Sequence, residues 1–125
     1  MRDYSKLPAE MRRAVNLHFK LEIPISDLAI TRPQKDNFTR VKYVYQMFLK
    51  NPETDVFPIL FEMAQSRYKD GYGKGLSSAF HHARRDELLF FYMVYETAPH
   101  LMPPEREAEN RRSHQEAEQD ANFAP

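Results

Sequence analysis

Asp36-Asn37-Phe38-Thr39-Arg40-Val41-Lys42-Tyr43-Val44-Tyr45-Gln46-Met47-Phe48-Leu49-Lys50-Asn51-Pro52 decides the fold. Phe38, Val41, Tyr45 and Phe48 fall at i, i+3, i+7 and i+10, and Val44 and Met47 widen the stripe. That spacing is one face of an amphipathic helix, since residues three and four apart share a side. Asp36 is the expected N-cap, because its carboxylate can accept from the free N–H groups of a first turn. Asn51-Pro52 closes the helix, because a residue before proline is pushed out of the α region. One such stripe cannot bury itself, so the flanking sequence has to supply its cover.

Upstream, Pro8 suits a first helical turn and residues 9–22 read as a helix that Pro24 stops. Residues 23–35 contain Pro24 and Pro33 and read as a loop with room for one helical turn. Downstream, Thr54 or Asp55 caps a helix with two apolar faces: Val56, Ile59, Leu60 and Met63 on one, Phe57, Phe61, Ala64 and Tyr68 on the other. A helix apolar on two sides lies between neighbours or faces a partner. Gly71-Tyr72-Gly73-Lys74-Gly75 breaks it, and a last helix runs from Ser77 or Ser78 to Thr97, polar at first and apolar from Leu88 to Tyr95. Pro99, Pro103 and Pro104 close it. Residues 105–120 carry no apolar stripe and cannot offset their own ordering entropy. The expectation is an all-α, antiparallel three-helix bundle whose third helix is broken near Gly71–Gly75. It occupies residues 1–102, and residues 103–125 form an extended charged tail, disordered alone or laid on a partner.

The composition fits one domain with a modest core. The chain has 125 residues, of which 42% are hydrophobic and 13% aromatic, enough for one core rich in ring packing. It contains no Cys, which excludes disulfides, thiol catalysis and cysteinyl metal ligation by these residues. The formal net charge of +0 does not point to wholesale nucleic-acid binding. The charge is unevenly placed, however. Residues 1–50 hold ten Lys/Arg against five Asp/Glu, so an acidic partner would meet that half. The most apolar run, Leu88 to Tyr95, is far short of the roughly 20 residues of a membrane-spanning helix. No secretory signal or cleavable presequence is expected, with no apolar run near Met1 and with Asp3 and Glu10 early.

No enzyme chemistry stands out. His18 and Glu22 share a helix face, but neither a HExxH pattern nor a third ligand accompanies them, so they read as a surface polar pair. His81 and His82 are adjacent and diverge by about 100° on a helix, too far apart to share a metal. The glycines around Lys74 lack phosphate-loop spacing, Leu76 stands where that loop has Ser or Thr, and no strand precedes them. They read as a hinge. Asp86-Glu87 beside Arg84-Arg85 reads as local ion pairing.

The sequence around the decisive helix resembles the LYR-motif family of small mitochondrial helical proteins. The nearest branch is the accessory subunit of respiratory complex I. The likeness rests on Val44-x-x-Met47-Phe48-x-Lys50-Asn51 followed by Thr54-Asp55, on Arg12-Arg13 with Glu22-Ile23-Pro24, and on Phe90-Phe91 with Glu96-Thr97-Ala98-Pro99. It is close over residues 9–65 and looser to 99. The namesake Leu-Tyr-Arg is degenerate, with Leu17-His18-Phe19 and then Lys20 nearest to it, and the tail has no counterpart in the family.

The resemblance implies a non-catalytic accessory subunit of mitochondrial NADH:ubiquinone oxidoreductase. Such a subunit is peripheral to the matrix side of the inner membrane and anchors the mitochondrial acyl carrier protein among other complex I subunits. By the same resemblance, Arg12, Arg13, His18, Lys20, Lys42 and Lys50 would meet the carrier's acidic surface. Phe38, Tyr45 and Phe48 would line a tunnel for its phosphopantetheine-linked acyl chain. The chain would need no cofactor of its own. Two other readings stand beside it: a LYR-type assembly factor or mitoribosome adaptor, and an unrelated helical regulator that binds a protein partner.

Overall fold

The structure, a computed structural model, describes residues 3–67 and 75–102. These residues form four helices and no strand: α1 (Ala9–Lys20), α2 (Arg32–Lys50), α3 (Val56–Arg67) and α4 (Gly75–Thr97). Single 3-10 turns occupy Tyr4–Lys6, Ile25–Asp27 and Pro99–Leu101. The all-α class follows directly. The expected hinge at residues 71–74 and the expected tail at 103–125 lie outside the described residues.

The stripe of α2 is the core. Phe38, Val41, Val44, Tyr45 and Phe48 are all buried. Opposite them, α4 carries an unbroken buried run, Leu89, Phe90, Phe91, Tyr92, Met93 and Val94. Six consecutive buried positions cover every side of a helix, so this half of α4 is the central element, and α1, α2 and α3 all pack against it. Phe48 meets Phe90 edge to face with centroids 5.1 Å apart. α1 adds Met11, Ala14 and Val15, and α3 adds Val56, Leu60 and Ala64.

Several boundaries differ from those read in the sequence. α2 starts at Arg32, ahead of the expected cap Asp36. Thr31 is the cap: Thr31 Oγ1 accepts from the Gln34 N–H at 3.3 Å, and Gln34 Oε1 accepts from the Thr31 N–H at 2.9 Å. This reciprocal box satisfies two donors at once, and Pro33 fits because first-turn N–H groups lack helical partners. α1 stops at Lys20, not Glu22. Glu22 takes φ 56, in the left-handed region, and the chain folds back so that the Ile23 N–H reaches the Leu17 carbonyl at 3.2 Å. α2 ends at Lys50 as expected. Asn51 Oδ1 then accepts from the Glu53 N–H at 3.3 Å, and Thr54 Oγ1 donates to the Asn51 carbonyl at 2.7 Å.

The larger difference concerns the third helix. The segments on either side of the glycines are not halves of one bent helix. α3 and α4 are separate and lie against each other. Phe57 and Phe61 stack at 6.0 Å, and Phe80 of α4 stands edge-on to both, at 5.5 and 6.1 Å. The Arg84 guanidinium sits 4.0 Å from the Phe57 ring centroid and 5.0 Å from that of Phe80. This places a cation over aromatic faces on the partly exposed side of the pair.

Candidate functional site

The nine positions implicated by the resemblance separate into four environments. His18 and Lys42 come together. His18 Nδ1 is 2.7 Å from the Ile23 carbonyl, and Nε2 is 2.7 Å from Lys42 Nζ. A carbonyl only accepts and an ammonium only donates, so Nδ1 carries the proton and Nε2 accepts. The imidazole therefore ties the end of α1 to the middle of α2. It stands edge-on to Phe19 and Phe38, and Lys42 Nζ lies 5.8 Å from the Phe19 ring centroid.

Arg12 and Lys20 turn instead toward α4. Lys20 Nζ pairs with Glu96 Oε2 at 2.8 Å, and this hydrogen bond is the main cause that raises the lysine's proton affinity. Between them Asn16 Nδ2 donates to the Arg12 carbonyl at 3.2 Å and to the Tyr92 hydroxyl at 3.4 Å. Burial raises the Tyr92 phenol above its ordinary value, with Glu96 adding to the shift and Asn16 opposing it. Arg13 and Lys50 are exposed, on α1 and at the last residue of α2. The basic half is thus real but not one continuous patch.

Phe38, Tyr45 and Phe48 are packed within the core, at 0%, 5% and 1% exposure. Phe19, which the sequence did not single out, joins them, stacked on Phe38 at 6.3 Å and edge-on to Tyr45 at 5.3 Å. The Tyr45 hydroxyl is 2.6 Å from Thr97 Oγ1, which itself donates to the Met93 carbonyl at 2.7 Å. Thr97 has a single proton and gives it to Met93, so Tyr45 is the donor in that pair. The rings expected to line a tunnel therefore touch other rings and helices on all sides.

A cavity of about 300 Å³ opens elsewhere, where the N-terminal turn and the starts of α1 and α2 meet the end of α3 and the middle of α4. Its charged walls are Lys6, Arg40, Arg67, Arg85 and Asp86, with Gln34, Asn37 and His82 beside them. Asp86 is buried and receives Arg67 Nη2 at 3.2 Å, a pairing across helices and not the local one expected. Glu87 does pair locally, with Arg84 at 3.0 Å. Burial pushes the Asp86 carboxyl up from its ordinary value, opposed by Arg67, then Arg40 and Asn37. No single motif marks this cavity, since its residues come from five segments that only the fold brings together.

Among the described residues no group of three or more His, Asp or Glu side chains could hold a metal ion. None of the described helices is long and apolar enough to cross a membrane. No protein-family model matches the chain, nor does any curated protein or solved structure.

Proposed function

We propose that this chain is a non-catalytic helical adaptor of LYR type. It would be an accessory subunit of mitochondrial complex I that holds the acyl carrier protein at the matrix face of the inner membrane. The observation that carries the reading is the His18–Lys42 junction. It joins two basic helices directly over the Phe19–Phe38–Tyr45 ring cluster. Cations beside a buried aromatic seam are what a partner with an acidic surface and an apolar acyl group would use. Charge pairing steers the encounter, and burial supplies about 0.8 kcal/mol per CH2 withdrawn from water. Exposed Arg13 and Lys50 make the first contacts. Lys20 exchanges Glu96 for a partner carboxylate, and Arg12 and Lys42 support them from half-buried positions. An acyl chain entering the seam displaces the contact between Phe48 and Phe90.

Purification of the chain from mitochondria under mild conditions tests this. The expected result is a small acidic protein whose intact mass includes an acyl-phosphopantetheine group, in a complex that comigrates with complex I. Arg13→Glu with Lys50→Glu should weaken that association about tenfold or more, because each reversal turns an attraction into a repulsion. Purification without an acyl carrier protein, or a charge-reversed chain that binds it equally well, would overturn the reading.

A further inference from the structure

We infer that the outer face of the α3–α4 pair is the contact surface of a symmetric dimer, with a second copy of this chain as its occupant. This inference does not depend on the adaptor reading, which places its partner on α1 and α2. The centre of the face is aromatic. Phe57 and Phe61 are half-buried and Phe80 is 45% exposed. The three rings meet one another at 5.5, 6.0 and 6.1 Å. The Arg84 guanidinium lies against two of them and pairs with Glu87 at 3.0 Å, so its charge is already met and it adds flat surface. Interface centres are rich in aromatic rings and Arg, and rings that hold one another in place lose little freedom on contact.

The margins of the aromatic strip select the occupant. Residues four apart form rows along a helix. Beside the Phe57–Phe61 row of α3 runs the exposed row Pro58–Glu62, with exposed Asp55 just ahead of the helix. Beside the Phe80–Arg84 row of α4 runs the row of His81 and Arg85, both exposed. One margin of the strip is therefore acidic and the other basic. Among the described residues neither Glu62 nor Arg85 belongs to an ion pair. A two-fold axis along the strip lays α3 of each copy over α4 of the other, so that rings meet rings and each acidic margin meets a basic one. A two-fold axis across the strip would set acidic on acidic and basic on basic, which fixes the orientation. A different partner would have to carry the same order of acid, rings and base, and a second copy has it by construction.

Sedimentation velocity and native mass spectrometry of the full chain over a dilution series test this. The expected result is a mass that moves from one chain towards two as concentration rises. Phe80→Glu puts a carboxylate at the centre of the contact and should abolish association with its circular dichroism unchanged, because the ring is already 45% exposed. Tyr43→Glu, at a position 58% exposed on α2, should leave association as it is. Glu62→Lys and Arg85→Glu each occur twice in a dimer, so each variant alone should associate about tenfold or more weakly. Mixed in equal amounts, the two should form a heterodimer with the parent's affinity. The new lysine then faces the new glutamate, and the other pair of margins is native. One-chain mass at every concentration overturns the inference, whether another protein or residues 103–125 of the same chain take the face. So does a dimer that survives Phe80→Glu, or a mixture that associates no better than its two components.

Discussion

At the scale of single residues, the relay Tyr45 to Thr97 to the Met93 carbonyl has a direction, and the direction sets unequal costs. Tyr45→Phe removes a donor and leaves Thr97 still bonded to Met93, so it should cost about 1 kcal/mol. Thr97→Val leaves the Tyr45 hydroxyl, on a residue 5% exposed, without its acceptor, and should cost about 1–3 kcal/mol. Urea unfolding of the two variants measures the difference, and a costlier Tyr45→Phe would reverse the assigned direction. Asp86 sets a pH dependence. Its folded carboxyl holds a proton over a range where the unfolded chain, near 3.8, has lost it. The native state then binds more protons, so this group's contribution is full below 3.8 and is lost as pH rises through the folded value. Asp86→Asn does not titrate. Its stability relative to the parent should therefore improve between about pH 4 and 7. Urea midpoints for both proteins at the two pH values check this, and a parent that gains on the variant over that span would contradict it.

At the scale of elements, α2 shows what the sequence disclosed and what it hid. Its apolar stripe from Phe38 to Phe48 was legible, because helical spacing is a local property, and Phe38, Val41, Val44, Tyr45 and Phe48 are buried. Its start was not. Pro33 reads as a loop marker, yet in a first turn it removes only an N–H that has no helical partner. Thr31 and Gln34 were the signal that could have revealed the true start. Thr31→Ala should cost about 1 kcal/mol by removing the cap. Gln34→Ala should cost less, because the threonine keeps its own bond to the backbone. Thermal unfolding ranks the pair. The relation of α3 to α4 lay beyond local reading for a different reason. Glycines announce a break, but whether the chain continues or packs against itself depends on where Phe80 finds rings to meet, and those rings belong to Phe57 and Phe61. The cavity was hidden in the same way. Lys6 and Arg85 are far apart in the chain and become neighbours of one space only once α4 is in place.

At the scale of the whole molecule, stability concentrates on the central half of α4. Phe90 is 0% exposed and touches both Phe48 and Phe91. Phe90→Ala should cost about 3–5 kcal/mol, a large part of the roughly 5–15 kcal/mol typical of a folded domain. Phe80 is 45% exposed, so Phe80→Ala should cost clearly less, about 1 kcal/mol. Chemical denaturation of both variants tests whether the load is placed in this way, and equal losses would show that it is not. The position of α4 also has a consequence for the order of assembly. The helix that covers the apolar faces of α1, α2 and α3 is the last of the four to leave a ribosome. Until residues 89–94 emerge, Phe48 lacks Phe90, and the apolar faces of α1, α2 and α3 lack the helix that they share, so the nascent chain carries part of its core open to water. Growing chains halted before Thr97 should therefore be held by chaperones or cleaved, and those halted well beyond it should resist protease.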